Sequence, residues 1–362
     1  MIVSSVILAA GQGTRMRSNL PKVLHSLAGK PFIEYSLRAV ESLGGTVPVV
    51  VVGYGAGLVR QYVGKRAKFV TQAHQRGTAH ALRMAETRLA GRADLVVVVH
   101  ADMPLLTGPT LGRLVEIQES NPGPMTMLTL VSKDSHGFGR ILRGPGGSVQ
   151  AIVEEHDATP EQLAIDEVNA GVYCFASEWL WPALRRIKVS PKGEYYLTDT
   201  LALAVEDGLP VKAVQLEDPE EAIGINTRVH LAEAESILSR RINQRWMLEG
   251  VTIVDPGATY IAPDVKIGQD TIIHPGTHLQ GDTQVGPECS LGPNAVIADS
   301  ILGCACIVSS SILEGAVLED HVEVGPYCHV GRGSHLTKGV ILEPGMRVPA
   351  SAALLEGKNR RA

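Results

Sequence analysis

MIVSSVILAAGQGTRMRSNLPK, residues 1–22, is the stretch that decides how this chain folds. Residues 2–8 are a β-branched, apolar run with the length of a buried strand. The run leads directly into a loop of two alanines and two glycines, whose small side chains leave the backbone amides open to an anionic ligand. Arg15 and Lys22 add two fixed positive charges beside that loop. Because open α/β sheets bind ligands at the carboxyl ends of their strands, the stretch predicts a nucleotide-phosphate site.

Residue identities exclude two other kinds of glycine loop. A Walker A loop ends in Gly-Lys-Ser or Gly-Lys-Thr, and no such tripeptide follows Gly11. A dinucleotide-binding loop needs a third glycine where this chain has Met16, and an acid after the second strand where it has Gly53 and Tyr54. A plain tight turn after a buried strand is the alternative for the glycines alone, and the nearby basic residues weigh against it.

The composition is that of a globular protein with a weakly acidic balance. The 362 residues are 44% hydrophobic and 20% charged, and the formal net charge is −5. This balance gives no support for a nucleic-acid-binding face or an anionic membrane partner. No apolar stretch approaches the ~18 residues that span a bilayer, and the N-terminal run lacks the basic start of a signal peptide. Five cysteines without a CxxC pair predict reduced thiols, and we expect a cytoplasmic protein.

Two sequence patterns divide the chain. Over residues 1–226, apolar strands alternate with amphipathic helices, which predicts a mostly parallel sheet with helices on both faces. Residues 227–250 have helical spacing and predict a linker helix. From Val265 onward an aliphatic residue recurs about every six positions, which indicates a parallel β-helix, with predicted bounds of 251–354. Residues 355–362 are predicted to be a basic tail.

Polar residues follow two of the predicted strands. Residues 72–80 (QAHQRGTAH) contain a glutamine whose amide can donate and accept, which suits an imide edge such as that of uracil. The alternative there is a helix N-terminal region with solvated glutamines. Asp102 follows the apolar strand of residues 95–99, and a carboxylate at that point suits Mg²⁺, which shares oxygen ligands with substrate phosphates. A simple turn before Pro104 is the alternative.

Residues 8–16 (LAAGQGTRM) and 20–25 (LPKVLH) resemble the signature of sugar-1-phosphate nucleotidyltransferases, and more narrowly that of bacterial N-acetylglucosamine-1-phosphate uridyltransferases. The resemblance covers roughly residues 2–345. It implies a Rossmann-like nucleotidyltransferase domain followed by a left-handed parallel β-helix of hexapeptide repeats, through which family members form homotrimers. Further segments resemble family motifs in the same order: 72–80, 100–105 (HADMPL), 137–141 (GFGRI), 152–154 (IVE), 167–171 (EVNAG), 193–199 (GEYYLTD) and 222–228 (AIGINTR).

The resemblance also implies which residues form the site. Arg15 and Lys22 are expected to be catalytic, with Arg15 on the leaving pyrophosphate and Lys22 on the phosphates at the reacting centre. Asp102 and Asn226 are expected to hold Mg²⁺. The other expected residues contact substrate, at the phosphates, the uracil base, the ribose or the sugar: Leu8, Ala9, Ala10, Gly11, Gln72, Gly77, Thr78, His100, Ala101, Gly139, Glu154 and Asn169.

The chain departs from the family pattern at two places. His100 and Ala101 stand where the family has an aromatic residue and glycine, which leaves N-acetylglucosamine 1-phosphate and glucose 1-phosphate both open as substrates. Gly331 stands where the family's acetyl-coenzyme A site has an arginine, and the later Val-Glu-x-Lys-Lys stretch is absent. We therefore expect no acetyltransferase activity.

The predicted reaction is Mg²⁺-dependent uridylyl transfer from UTP to N-acetylglucosamine 1-phosphate, which gives UDP-N-acetylglucosamine and pyrophosphate. One alternative is the same fold acting on glucose 1-phosphate or with another nucleoside triphosphate. A second is a non-catalytic trimeric sensor or scaffold for sugar nucleotides. The expected partners are UTP, the sugar phosphate and two further copies of the chain, with no nucleic acid and no membrane.

Overall fold

The computed structural model of the protein describes residues 1–133 and 136–354, which form two compact units. Unit 1 consists of Met1–Ser26 and Lys30–Leu231, and unit 2 of Leu27–Gly29 and the chain from Ala232 onward. The helices are α1 (Phe32–Glu41), α2 (Ala56–Val63), α3 (Thr78–Arg83), α4 (Glu86–Leu89), α5 (Gly108–Ser120), α6 (Pro160–Leu163), α7 (Ser177–Arg186), α8 (Asp199–Glu206) and α9 (Arg228–Leu248).

Unit 1 is built on one twisted sheet. Its strands run in the order β11-β7-β10-β6-β1-β4-β5, and β8 pairs with β9 and β10; a separate pair, β2 and β3, forms a short ribbon. The bounds of these strands are β1 (Val3–Ala9), β2 (Ser26–Leu27), β3 (Lys30–Pro31), β4 (Val49–Val52), β5 (Lys68–Thr71), β6 (Leu95–His100), β7 (Met125–Val131), β8 (Arg140–Arg143), β9 (Val149–Val153), β10 (Glu167–Ala176) and β11 (Val211–Gln215).

The central strands are buried on both faces. β1 pairs in parallel with β4 and β6, whereas β10 runs antiparallel to β6 and β7. Alternate residues of β1 enter opposite cores, with Ile7 in one and Leu8 in the other. A strand covered on both sides has no polar face, which explains the unbroken apolar runs in the sequence. The prediction of a mostly parallel sheet covered by helices on both faces is confirmed.

Strand register places two loops side by side at one edge of this sheet. β1 and β6 are parallel neighbours, and Leu8 pairs with His100. The glycine-rich loop after β1 and Asp102 after β6 therefore leave the sheet next to each other. β4 begins at Val49, because Val47 is exposed and Pro48 has no amide hydrogen for the ladder.

Unit 2 contains three stacked sheets of short parallel strands. Each sheet has six strands, in the orders β12-β15-β18-β21-β24-β27, β13-β16-β19-β22-β25-β28 and β14-β17-β20-β23-β26-β29. Their bounds are β12 (Thr252–Ile253), β13 (Thr259–Ile261), β14 (Lys266–Ile267), β15 (Ile272–Ile273), β16 (Thr277–Gln280), β17 (Gln284–Val285), β18 (Ser290–Leu291), β19 (Val296–Ala298), β20 (Ile301–Leu302), β21 (Ile307–Val308), β22 (Ile312–Glu314), β23 (Val317–Leu318), β24 (Glu323–Val324), β25 (His329–Val330), β26 (His335–Leu336), β27 (Ile341–Leu342), β28 (Arg347–Val348) and β29 (Ala353–Leu354).

The repeating aliphatic residues fill the interior of these coils. In one sheet Ile273, Leu291 and Val308 stack in register, each on the equivalent residue of the coil before. This confirms the parallel β-helix. The buried members of the ladder are Ile267, Ile273, Leu279, Val285, Leu291, Ile297, Leu302, Val308, Leu313, Leu318, Val324, Val330, Leu336, Leu342 and Val348.

The predicted domain boundaries after residues 226, 250 and 354 stay predictions, and the predicted tail, 355–362, lies outside the described residues. Within the part of the chain that the structure describes, no helix has the length and apolar character of a membrane span.

Candidate active site

Two adjoining clefts open at the carboxyl ends of β1 and β6 in unit 1. The loop cleft, of about 480 Å³, lies beside the glycine-rich loop, and the strand-end cleft, of about 670 Å³, lies beside β8, β9 and β10. Six residues line both clefts: Arg15, Thr78, His100, Asp102, Glu194 and Tyr196. Four predicted residues line the loop cleft through the first strand and loop: Leu8, Ala9, Ala10 and Gly11.

The glycine-rich loop is folded tightly over Lys22. Gly13 has a φ of +68°, and a Cβ on it would lie 2.6 Å from the Lys22 Cβ. The short helical turn Thr14–Met16 follows, with Met16 buried as its anchor. Gly13 is therefore required both for its left-handed backbone and for the space above the lysine.

Lys22 is the point at which three distant segments meet. Its Nζ lies 2.5 Å from Asp102 Oδ2 and 3.0 Å from Asn226 Oδ1. Arg15 Nη2 donates to the same Asn226 oxygen at 3.0 Å. The two catalytic candidates and the two metal-ligand candidates thus form one hydrogen-bonded group.

The charges of this group support one another. Burial raises the pKa of the Asp102 carboxyl, but the Lys22 ammonium, together with His100 and a backbone hydrogen bond, holds that pKa below its ordinary value. Burial lowers the pKa of His100, with Lys22 acting in the same direction and Asp102 against it. Asp102 is therefore an anion and the His100 imidazole is neutral at neutral pH.

The donor set fits a hard divalent cation. Asp102 offers a carboxylate and Asn226 an amide oxygen, and both oxygens lie within hydrogen-bond distance of a single atom, Lys22 Nζ. Among the described residues no cluster of three or more His, Cys, Asp or Glu side chains could form an all-protein metal cage. Two protein oxygens completed by substrate phosphates and water is the arrangement that Mg²⁺ prefers.

The predicted base-contacting residues lie together at the other end of the loop cleft. Gln72 is buried, and its Nε2 donates to Gly77 O at 3.0 Å. Gly77 has φ +94° and ψ 175°, a region open essentially to glycine alone. Thr78 Oγ1 accepts from the Leu197 backbone at 3.0 Å, which ties this end of the cleft to the segment before α8.

The predicted sugar-contacting residues line the strand-end cleft. Glu154 accepts from Thr198 Oγ1 at 3.2 Å, and Gly139 lies against Ile152 with no space for a side chain. Asn169 is held by two bonds, because its Oδ1 accepts from Gly171 N at 2.9 Å and its Nδ2 donates to Tyr173 Oη at 2.7 Å. Among the described residues these bonds leave one Nδ2 hydrogen of Asn169 unused, which a ligand could accept.

Ala101 differs from the other predicted residues. It is fully buried in the core, its amide donates to Leu8 O at 3.0 Å, and it lines neither cleft. The residues that sequence reasoning did not assign include Gln75 in the loop cleft, Thr198 and His230 in the strand-end cleft, and Glu194 and Tyr196 in both. The family-like segment 193–199 was the available signal for three of them.

Comparison with known proteins identifies two matching families. Residues 5–199 match the MobA-like NTP transferase domain, and residues 264–299 match the bacterial transferase hexapeptide (six repeats). The chain is 43% identical over 327 residues to the bifunctional protein GlmU of an Exiguobacterium species, which covers 90% of this chain and 72% of that protein. For the bifunctional protein GlmU of Halalkalibacterium halodurans, identity is 41% over 355 residues, with coverage of 98% and 78%. Identity to the bifunctional protein GlmU of Heliobacterium modesticaldum is 43% over 338 residues, which covers 93% of this chain and 74% of that protein.

Gly77→Ala tests the constraint at the base end of the loop cleft. A Cβ there would lie 2.4 Å from the Tyr195 carbonyl oxygen, in addition to the unfavourable backbone angles. We expect a loss of folding free energy above the ~1–2 kcal/mol of a left-handed backbone alone, together with lost nucleotide binding. The measurements are denaturant unfolding and calorimetric titration with UTP.

Gly91→Ala is the matched control. Gly91 also has a positive φ, +69°, but a Cβ on it would meet no atom within 4 Å. This variant should lose only the smaller backbone energy and keep nucleotide binding. Equal losses in the two variants would contradict the role of the Tyr195 contact.

Proposed function

We propose, since the chain belongs to the family of the bifunctional GlmU proteins, that it transfers the uridylyl group of UTP to N-acetylglucosamine 1-phosphate with the help of Mg²⁺. Membership of this family makes the chain a nucleotidyltransferase, more narrowly a sugar-1-phosphate uridylyltransferase. Enzymes of this kind use a divalent metal. We propose that the metal is Mg²⁺ and that the sugar is N-acetylglucosamine, and we propose the residue roles given below. One observation carries it: Lys22 contacts both Asp102 and Asn226 where the two clefts join.

The reaction needs positioning and charge neutralisation rather than a general base. A sugar 1-phosphate is already anionic near neutral pH, so its oxygen can attack the α-phosphorus of UTP without losing a proton first. The attack and the departure of pyrophosphate bring several negative charges together. A site with two fixed cations at the junction of two clefts suits this chemistry, since preorganised charge stabilises the transition state.

The roles follow from position. Arg15 lies at the loop end and would neutralise the departing pyrophosphate. The Lys22 ammonium would move away from the oxygens of Asp102 and Asn226 and bind the phosphates at the reacting centre instead. This is a short movement for a flexible side chain. Asp102 and Asn226 would then hold Mg²⁺, which supplies charge neutralisation and an oxygen-binding template when it is bound.

The strand-end cleft suits the sugar. Glu154 is a carboxylate that can accept from sugar hydroxyls, and the spare Nδ2 hydrogen of Asn169 can donate to a hydroxyl or to an acetamido carbonyl. Both side chains are held by neighbours, which lowers the entropy lost when a ligand binds. The cleft is therefore compatible with the hydroxyls and the acetamido group of N-acetylglucosamine 1-phosphate.

We further propose that the chain lacks acetyltransferase activity. A Cβ at Gly331 would lie 2.9 Å from the Ala350 amide nitrogen and 3.2 Å from Val348 O, so the coil leaves no space for the family's arginine there. The adjacent Arg332 pairs with Asp299 at 3.3 Å. Gly331 therefore offers no cation to an acetyl-coenzyme A phosphate, and Arg332 shares its charge with Asp299.

The direct test of the proposed function is pyrophosphate release from UTP and Mg²⁺ with different sugar phosphates. We expect release that depends on N-acetylglucosamine 1-phosphate and is smaller with glucose 1-phosphate. Preference for glucose 1-phosphate would keep the chemistry and replace the substrate. No release with any sugar would favour a sugar-nucleotide sensor or scaffold instead.

Lys22→Ala should abolish most turnover. Removing a charge that acts mainly in the transition state costs on the order of 10²–10³ in rate. Lys65→Ala is the control, because Lys65 is an exposed lysine of the same unit outside both clefts. Steady-state kinetics should show a fall in kcat for the first variant only, and unchanged turnover would remove Lys22 from the mechanism.

The acetyltransferase proposal has its own assay. Pure protein incubated with acetyl-coenzyme A and glucosamine 1-phosphate should release no coenzyme A above background, whereas a bifunctional relative assayed in parallel should. Formation of N-acetylglucosamine 1-phosphate by this chain would refute the proposal.

A further inference from the structure

We propose that His80 is a positioning residue for base selection: it fixes the Gln72 amide so that only the carbonyl oxygen of Gln72 faces the base. The loop cleft then accepts a base that presents an N–H donor at this edge, as uracil does, and disfavours cytosine. This inference rests on the proposed use of a uridine nucleotide, and it adds the side chain that sets the choice.

The two amide hydrogens of Gln72 are both in use. Nε2 lies 3.0 Å from Gly77 O and 2.9 Å from His80 Nδ1. An NH₂ group has two hydrogens, so these two contacts exhaust its donors. Gln72 lines the loop cleft, and the described residues provide no hydrogen-bond partner for its Oε1. The only polar function that Gln72 presents to a ligand is an acceptor.

His80 can hold this orientation because its tautomer is fixed. Since Gln72 Nε2 is a donor, His80 Nδ1 must accept and must carry no proton. The backbone carbonyl of His74 also acts on the ring as an acceptor. A neutral imidazole that accepts at Nδ1 carries its proton at Nε2. The amide cannot rotate without breaking its bonds to Gly77 O and His80 Nδ1.

The surroundings of His80 keep the ring neutral. Burial lowers its pKa below the ordinary value of 6.5, and the charges of Arg83, Arg76 and His74 lower it further, while the hydrogen bond with the His74 backbone acts in the opposite direction. The aromatic neighbour is Tyr195, with ring centroids 6.4 Å apart. At neutral pH the ring therefore remains an acceptor at Nδ1.

The arrangement predicts which base edge is read. Uracil presents N3–H between two carbonyls, and an amide oxygen can accept from that hydrogen. Cytosine presents a lone pair at N3, and two acceptors facing each other leave both unsatisfied in a partly dehydrated site. If the amide turned by half a rotation, the preference would reverse. His80 is the side chain that prevents this rotation.

Two substitutions of His80 separate positioning from packing. His80→Leu removes the acceptor at Nδ1, whereas His80→Asn keeps an oxygen acceptor near that position. We expect His80→Leu to lower the UTP-to-CTP ratio of kcat/KM roughly tenfold or more, and His80→Asn to keep most of it. His74→Leu is the matched control, because that side chain is exposed and makes no hydrogen bond to the Gln72 amide.

The pH dependence of the same ratio is a second readout. Protonation turns Nδ1 into a donor that can no longer accept from Gln72. The wild-type ratio should fall more steeply than that of His80→Asn as pH decreases below 6.5 towards the lowered pKa of His80, because protonation of cytosine N3 affects both proteins alike. Titration of the nucleotide phosphates cancels, since UTP and CTP share them.

Measuring nucleotide binding at equilibrium tests the role of His80 independently of the proposed reaction. Calorimetric affinities for UTP and CTP without any sugar give the ratio even if turnover fails. An unchanged ratio in folded His80→Leu, or a wild-type ratio that falls no more steeply than that of His80→Asn throughout the acid range of the folded protein, overturns the role of His80. If His80→Leu does not fold, His80→Asn and the wild-type pH profile decide the question. Absence of sugar-dependent turnover with a normal binding ratio refutes the proposed reaction alone.

Discussion

The contact between Lys22 and Asp102 is the interaction on which the site depends. Their side chains are 11% and 23% exposed, so each charge is largely removed from water and needs the other. A buried charge without its partner is strongly unfavourable. The pair is possible because β1 and β6 are parallel neighbours in register, so the segments after them leave the sheet together. The fold thus creates the charge pair before any substrate binds.

Two clefts with different linings adjoin this pair. The loop after β1 and the start of α3 line the loop cleft, where the Gln72 amide is held by the Gly77 carbonyl. The strand-end cleft uses held polar side chains on β9 and β10 and at their ends. Because the two clefts share six residues, substrates bound in them would lie next to the same cationic centre. This division suits a reaction whose main demand is to bring two anions together.

The sequence was sufficient for the architecture because its patterns are periodic. Buried strands and the six-residue repeat follow from spacing alone, and the register of β1 and β6 gives Lys22 and Asp102 a common edge. The antiparallel direction of β10 was not predictable, since an apolar run is the same in either direction. The contact between Lys22 and Asn226 joins residues far apart in the chain, so only the family-like motif pointed to it. Glu194 and Tyr196 lie in an irregular segment, where no periodicity indicates which side chains face a cleft.

Charge and position suffice for the proposed transfer, with no covalent bond between the protein and the nucleotide. Direct attack by the sugar phosphate inverts the configuration at the α-phosphorus. A route through a uridylylated side chain, for example the His100 imidazole that lines both clefts, would involve two inversions. The most direct measurement is the stereochemical outcome with UTP made chiral at its α-phosphorus by sulfur substitution. Inversion in the sugar-nucleotide product is the predicted result, and retention would contradict direct transfer.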